Sequence, residues 1–429
     1  MRFRYAVLHL FLIASVAASA VSVSGQDEGG KDEERLEFTA GGKEFRKRPD
    51  GTFLNRYYRG VVTRHLDARL EANEGVYDSR LGEVRFYGNA AFEDSVRRLF
   101  ADTLIYYEKL HEAYAVGNVR VTEGDRKLTA DTVYYQKDIR YIKASGNVWV
   151  HDDSTNSTIR GTIAEFNDST GYGLVVGEPF LKKIDDDGSV MTVSCRDTLE
   201  LLERQQIIRL WRDIVAVKDS MTLSCSDTLE IYDSNNTVRL WKNVMAVRDS
   251  MTAISQAAVY DDSTETLILT GKPRIRYAVA DTRDEAPSEL QTVSVATGDS
   301  IRVTVRDRKI AGAQIVGSAA STTTSVDTTG TLFDRSIIES LSMRLEMKDD
   351  FISRISAEGT AQSYYHRNYA EDGKILLNDA SGDTLTFYFD RGSMSEMRIF
   401  GFGGGLGKGK YYDYEVEKPV AANDSSETR

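Results

Sequence analysis

Proline is scarce in this 429-residue chain, with five positions, and cysteine is scarcer, with two. So few prolines exclude a long Pro-rich linker. Two cysteines exclude a disulfide-dense scaffold and any zinc site of four thiolates. Positive charge is in deficit, because 54 Lys+Arg face 66 Asp+Glu for a net charge of −12. Non-specific nucleic-acid binding needs clustered cations to displace counterions, so no nucleic-acid partner is expected. No apolar run is long enough to span a bilayer comfortably as a helix. What remains is an ordinary globular balance, 41% apolar and 28% charged, rather than that of a disordered chain. The length suits two or three domains, or one long repetitive one.

Residues 1–20 read as an address. Arg2 and Arg4 precede an apolar stretch from Val7 to Val16, and Ala18-Ser19-Ala20 follows. A basic start, a short apolar core and small residues make a secretory signal peptide, cleaved near Ala20. The mature chain is therefore expected outside the cytoplasm. Residues 21–55 are polar and read as a flexible leader, and 411–429 as a polar tail.

The body repeats itself. Gly88-Asn89-Ala90-Ala91-Phe92 recurs as Gly117-Asn118-Val119-Arg120-Val121 and as Gly146-Asn147-Val148-Trp149-Val150, in steps of 29 residues. Between them, Leu99-Phe100-Ala101-Asp102 returns as Leu128-Thr129-Ala130-Asp131. Further on, Arg209-Leu210-Trp211-Arg212-Asp213 is matched by Arg239-Leu240-Trp241-Lys242-Asn243. Each copy is built of short runs alternating between an apolar or small face and a polar one. Period two with β-branched and aromatic enrichment means half-buried strands. Asp, Ser, Asn and Gly between the runs supply turns. Pro179 and Pro273 stand at strand starts, and none of the prolines interrupts an alternating run, as sheet ladders require.

These features predict an all-β fold: an elongated repetitive β-jellyroll of two facing sheets, solenoid-like, with a repeat of about 30 residues. About ten copies would give a body on the order of 50 to 70 Å long. Repeats are expected over 56–280 and again over 292–410. An insertion or linker is read at 281–291 and a loop insertion at 318–334. Acidic residues are read mainly in turns and at outward positions, with a nearly charge-free interior.

The residues Leu99, Ala101, Asp102 and Tyr106, then Leu128, Ala130, Asp131 and Tyr135, together with the Gly-Asn pairs, carry a resemblance. The chain is similar in these motifs to the OstA-like, or LptA-like, lipopolysaccharide-transport family of Gram-negative bacteria. The likeness covers 70–150 well and the remainder to 389 more loosely. It implies a β-jellyroll with an apolar groove that holds acyl chains of lipopolysaccharide. It also implies a periplasmic location and end-to-end stacking with other lipopolysaccharide-transport components through edge strands. The middle copies depart from the pattern, with Arg212 and Lys242 in the place of the glycine.

Candidate groove residues are Leu99, Ala101, Val119, Val121, Leu128, Ala130, Val148, Val150, Leu223 and Leu229. They could equally pack as the closed core of a structural or adhesive repeat protein that binds only protein, since any sandwich shows this pattern. Cys195 and Cys225 fill equivalent places in adjacent copies. They read either as small reduced core residues or as an inter-rung disulfide. No enzyme, cofactor or metal is expected. Gly404 to Lys410 fits Gly-x-x-x-x-Gly-Lys, but Tyr411 stands where a phosphate loop needs Ser or Thr. Asp185 to Gly188 lacks the spacing of a calcium loop. The stacked Asp102, Asp131, Asp197 and Asp227 invite comparison with a β-helical polysaccharide enzyme, yet read more simply as repeated bend chemistry.

Overall fold

The computed structural model describes residues 37–415, apart from 66–67, 94–96, 108, 137, 186, 233, 281–290, 307–308, 327–329, 349–350, 370–373, 391–392 and 402–407. The expected signal peptide, residues 21–36 of the leader, the 281–290 connection, 404–407 and the tail beyond 415 lie outside the described residues. Among those described, the chain is all-β, with thirty strands and one 3-10 turn, Glu203–Gln205. It divides into two compact units, one ending at Val238 and one beginning at Arg239.

In the first unit, strands Glu83–Glu93, Arg97–Tyr107, Glu112–Glu123, Arg126–Gln136, Tyr141–Asp152 and Ser157–Asn167 pair successively in antiparallel fashion. Every one of these ladders slips register near mid-strand, as between Tyr87 and Ala90 or between Val116 and Val119. On alternate strands the slip holds two successive residues with left-handed backbone: Gly88-Asn89, Gly117-Asn118 and Gly146-Asn147. Such a pair bends the strand at a bulge-like corner, so one strand serves two half-sheets. The repeat of about 29 residues is therefore two strands, one cornered by Gly-Asn and the next by Ala-Asp. Later in the unit the strands break at the corner. Tyr172–Val176 and Phe180–Ile184 flank Gly177-Glu178-Pro179, and Ile207–Trp211 and Ile214–Lys218 flank Arg212-Asp213.

The two phrases of the repeat meet at these corners. A Cβ on Gly117 would lie 2.2 Å from Asp102 Oδ2, and one on Gly146 would lie 2.1 Å from Asp131 Oδ2. The carboxylate occupies the space that a side chain would need. It is held there by Asn118 Nδ2, which donates to Asp102 Oδ2 at 2.9 Å, and by Asn147 Nδ2, which donates to Asp131 Oδ2 at 3.2 Å. Arg212 keeps the corner conformation at φ 62° although it is not glycine, and its Nε lies 3.7 Å from Asp197 Oδ2. Asp102 and Asp131 are thus corner residues tied to asparagine, which is the bend chemistry expected of the stacked aspartates.

The second unit uses the same corners on longer strands. Lys309–Val326, Leu332–Lys348, Phe351–Tyr369 and Lys374–Asp390 pair in order. Left-handed pairs stand at Gly317-Ser318 and Gly359-Thr360.

Three sequence expectations change. The leader is not wholly without structure: Glu37–Lys47 is a strand paired with Phe53–His65, and Phe38 stacks on Tyr57 at 4.7 Å. Its Gly41-Gly42 reads as linker in composition but sits at a register shift, where a Cβ on Gly41 would lie 2.9 Å from the Arg59 carbonyl oxygen. Residues 318–334 are not a loop insertion. Strands continue through 318–326 and from 332, because the β-branched Thr322-Thr323-Thr324 suits a ladder better than a loop. The tail begins later than 411, since Lys408–Glu415 pairs with residues 374–381. The 281–290 connection joins Arg274–Ala280 to Gln291–Thr297, which pair with each other.

Near the start of the described chain, Arg48 Nη1 and Nη2 donate to the two carboxylate oxygens of Asp78, each at 2.7 Å. The Arg48 guanidinium holds the Asp78 carboxyl down at about 2. Lys218, at 2.7 Å, and then Lys183 hold Asp185 likewise at about 2. The fold thus favours the charged forms. Their stabilisation is full above the ordinary aspartate value of about 3.9 and is lost as pH falls toward 2. Acid titration followed by circular dichroism should show stability declining across that window. Asp78→Asn should flatten part of the decline; an unchanged slope would mean that the pair contributes nothing.

Candidate functional site

The sequence candidates converge on the inner face of the first unit. In the first half-sheet, cross-strand partners form one continuous row: Phe92, Leu99, Val121, Leu128, Val150, Ile159, Leu181, Val193, Ala216 and Leu223. Ala101, Val119, Ala130 and Val148 stand one alternation nearer the corner. In the second half-sheet a matching row runs Phe86, Leu104, Ala115, Val133, Ala144, Ala164, Val175, Leu199, Leu210 and Leu229. Rows form because alternation is strict and each corner preserves which face points inward.

Nine of the ten sequence candidates are buried at 1–6% exposure. Leu223 is half-buried at the end of its row. Most of the second row was missed by sequence reasoning, which chose only Leu229 from it. The signal was present in Leu199-x-Leu201 and Ile208-x-Leu210, which alternate as plainly as Val119-x-Val121. Among the described residues, strands alone are available to cover either row, so the half-sheets cover one another.

In the second unit, Leu269, Ile301, Ile315, Met343, Ala357 and Leu385 form one such row, each at 1% exposure or less. Beyond its corners the inner face turns polar. Ser294 Oγ lies 3.0 Å from Thr323 Oγ1, and Thr292 Oγ1 lies 2.8 Å from Ser325 Oγ. Ser325 and Asp334 are buried there. Among the described residues, the apolar interior is continuous on both half-sheets in the first unit and not in the second.

The disulfide reading is corrected. Cys195 and Cys225 are both buried and free. Strand Ile214–Lys218 runs between the strands they terminate, so they stand two strand spacings apart, about 10 Å, beyond the reach of about 7 Å. Their thiols donate to the carbonyls of Thr198 and Thr228, at 3.3 and 3.4 Å. Burial pushes the Cys195 thiol up to about 11, so it stays protonated and unreactive.

The exterior also differs from expectation. The outer face of the second half-sheet carries a run of tyrosines, Tyr107, Tyr114, Tyr134 and Tyr141, with successive ring centroids 5.9, 4.8 and 6.1 Å apart. Burial, then the Glu112 carboxylate, pushes Tyr134 up to about 12. Cations on this face are answered by carboxylates: Lys143 by Glu165 at 2.7 Å, and Arg209 by Glu230 at 2.6 Å. The outer face of the first half-sheet is basic rather than acidic. Its rows carry Arg64, Arg69, Arg98, Arg120, Lys127, Arg160 and Lys182 against Glu71 and Glu93, with Asp153 beside Lys127 at the strand end.

No family model matches this chain, and no curated protein matches its sequence. Among the described residues, no helix is long and apolar enough to cross a membrane. Among solved structures, the chain is similar to the crystal structure of LptH from Pseudomonas aeruginosa, described as the LptA homologous periplasmic component of the conserved lipopolysaccharide transport device. That similarity has 12% identity and a TM-score of 0.26, and it covers 29% of this chain and 94% of that one. A likeness at this level carries no argument about function.

Proposed function

We propose that this chain is a non-catalytic, extracytoplasmic lipid-binding protein that carries or bridges lipopolysaccharide toward the outer membrane, with acyl chains held between the half-sheets. The supporting observation is the pair of uninterrupted apolar rows in the first unit, ten residues each, running across successive strands. An acyl chain of about a dozen methylenes gains on the order of 10 kcal/mol on leaving water, less its ordering cost. To enter, it must part rows that are packed together. Periplasmic location belongs to the same proposal. So does stacking with other lipopolysaccharide-transport components through edge strands. Among the described residues Glu37–Lys47 pairs only with Phe53–His65, which leaves an edge of the kind that recruits another chain.

A second reading has its own support. The burial of nine candidate residues at 1–6% describes an interior already filled by its own side chains. In that reading the chain is a structural or adhesive repeat protein with a closed core. Native mass spectrometry of the full chain recovered from its own envelope separates the two. Lipid-bearing adducts are expected of a carrier. A chain free of lipid, whose depletion leaves envelope lipid export intact, would sink the carrier reading.

A further inference from the structure

Although the chain is acidic overall, the outer face of the first half-sheet is basic and interleaved with aromatics. On the outside of the first half-sheet, the row beside the corner reads Phe100, Arg120, Thr129, Trp149, Arg160 and Phe180, each a direct cross-strand neighbour of the next. Neighbouring strands lie about 4.8 Å apart, so three rings and two cations share a row of six positions. The parallel row toward the strand ends adds Arg98, Lys127, His151 and Lys182.

Two features separate this face from ordinary surface. Arg120, Arg160 and Lys182 make no ion pair or hydrogen bond with any described residue, whereas their neighbours on the face are answered, Arg69 by Glu71, Arg98 by Glu93 at 2.7 Å and Lys127 by Asp153 at 2.6 Å. Phe100 is 50% exposed, and Trp149, half-buried, stacks on His151 at 5.4 Å. An exposed ring costs solubility without contributing to the fold, and the unpaired cations beside it are free to meet an anionic surface.

We propose that this face docks on the anionic headgroup layer of a phospholipid bilayer. Cations at such a surface gain from its negative potential, and rings settle at the headgroup level. The rest of the chain, acidic overall, is repelled by the same surface, so approach is oriented with this side down. The inference does not rest on the interior carrying lipid.

The test mixes the full secreted chain with vesicles of phosphatidylcholine containing phosphatidylglycerol, and with phosphatidylcholine alone, and measures co-sedimentation at low and high salt. Binding is expected only to the anionic vesicles and should weaken with salt. The triple variant Arg120→Glu, Arg160→Glu, Lys182→Glu should bind about a hundredfold more weakly. Phe100→Ser alone should cost about tenfold. A control reversal of Lys272, Arg274 and Arg302, exposed cations of the second unit, should bind as the parent does. Circular dichroism establishes that each variant is folded. The proposal is overturned if the parent binds both vesicles equally or neither, or if the triple variant binds as the parent does.

Discussion

Val175→Asp is expected to cost the first unit about 4 kcal/mol or more, a large fraction of the stability of a domain. Val175 is fully buried, between Ala164 and Leu199 in the inner row of the second half-sheet. A carboxylate there has no cation facing it from either neighbour in the row, and it loses its hydration. Urea denaturation with hydrogen exchange of Tyr172–Val176 measures the effect. Val175→Ala, which only leaves a small void, should cost a fraction as much. If the aspartate variant stays within about 1 kcal/mol of the parent, the row is open to water and the half-sheets do not cover one another.

Gly146→Val carries the next largest effect, a loss of about 3 kcal/mol or more. Gly146 sits at φ 77°, where a β-branched residue is strained, and its Cβ would fall on the Asp131 carboxylate. Removing that carboxylate with Asp131→Gly should recover part of the loss and leave the backbone strain. The converse applies at Arg212, already left-handed at φ 62° with only a distant, exposed partner in Asp197. Arg212→Gly should stabilise by about 0.5–1 kcal/mol, since the strain it relieves outweighs a surface ion pair. Thermal unfolding of the three variants measures this. Equal tolerance of valine at Gly146 would mean that the corner is not set by the glycine.

The corner explains why so much of the architecture was legible. Gly-Asn and Ala-Asp recur because each occupies the other's space across a ladder, so a pattern in sequence is a contact in the fold. Alternation then gave the inward positions of strands such as Glu112–Glu123 directly. What failed was read from composition alone. Gly41-Gly42 looks like a linker, yet the glycines sit where the first strand slips register against Arg59. Ser318 to Val326 looks like a polar loop, yet its hydroxyls pair across the ladder, Thr323 with Ser294 and Ser325 with Thr292. The cysteines look adjacent because their repeats are, but sequence repeats here span two strands, and the strand between them sets the distance. The basic outer face was hidden by the net charge, which sums over turns and both faces. Only the register brings Arg120 and Arg160 into one row with Phe100 and Trp149.

The most direct measurement of the central claim is photo-crosslinking in cells from Val121 and Val150, both on the inner row, with Arg120 on the outer face as the comparison. A carrier interior predicts lipopolysaccharide adducts at both valines and none at Arg120. Equal labelling at all three positions, or protein adducts without lipid, would contradict it.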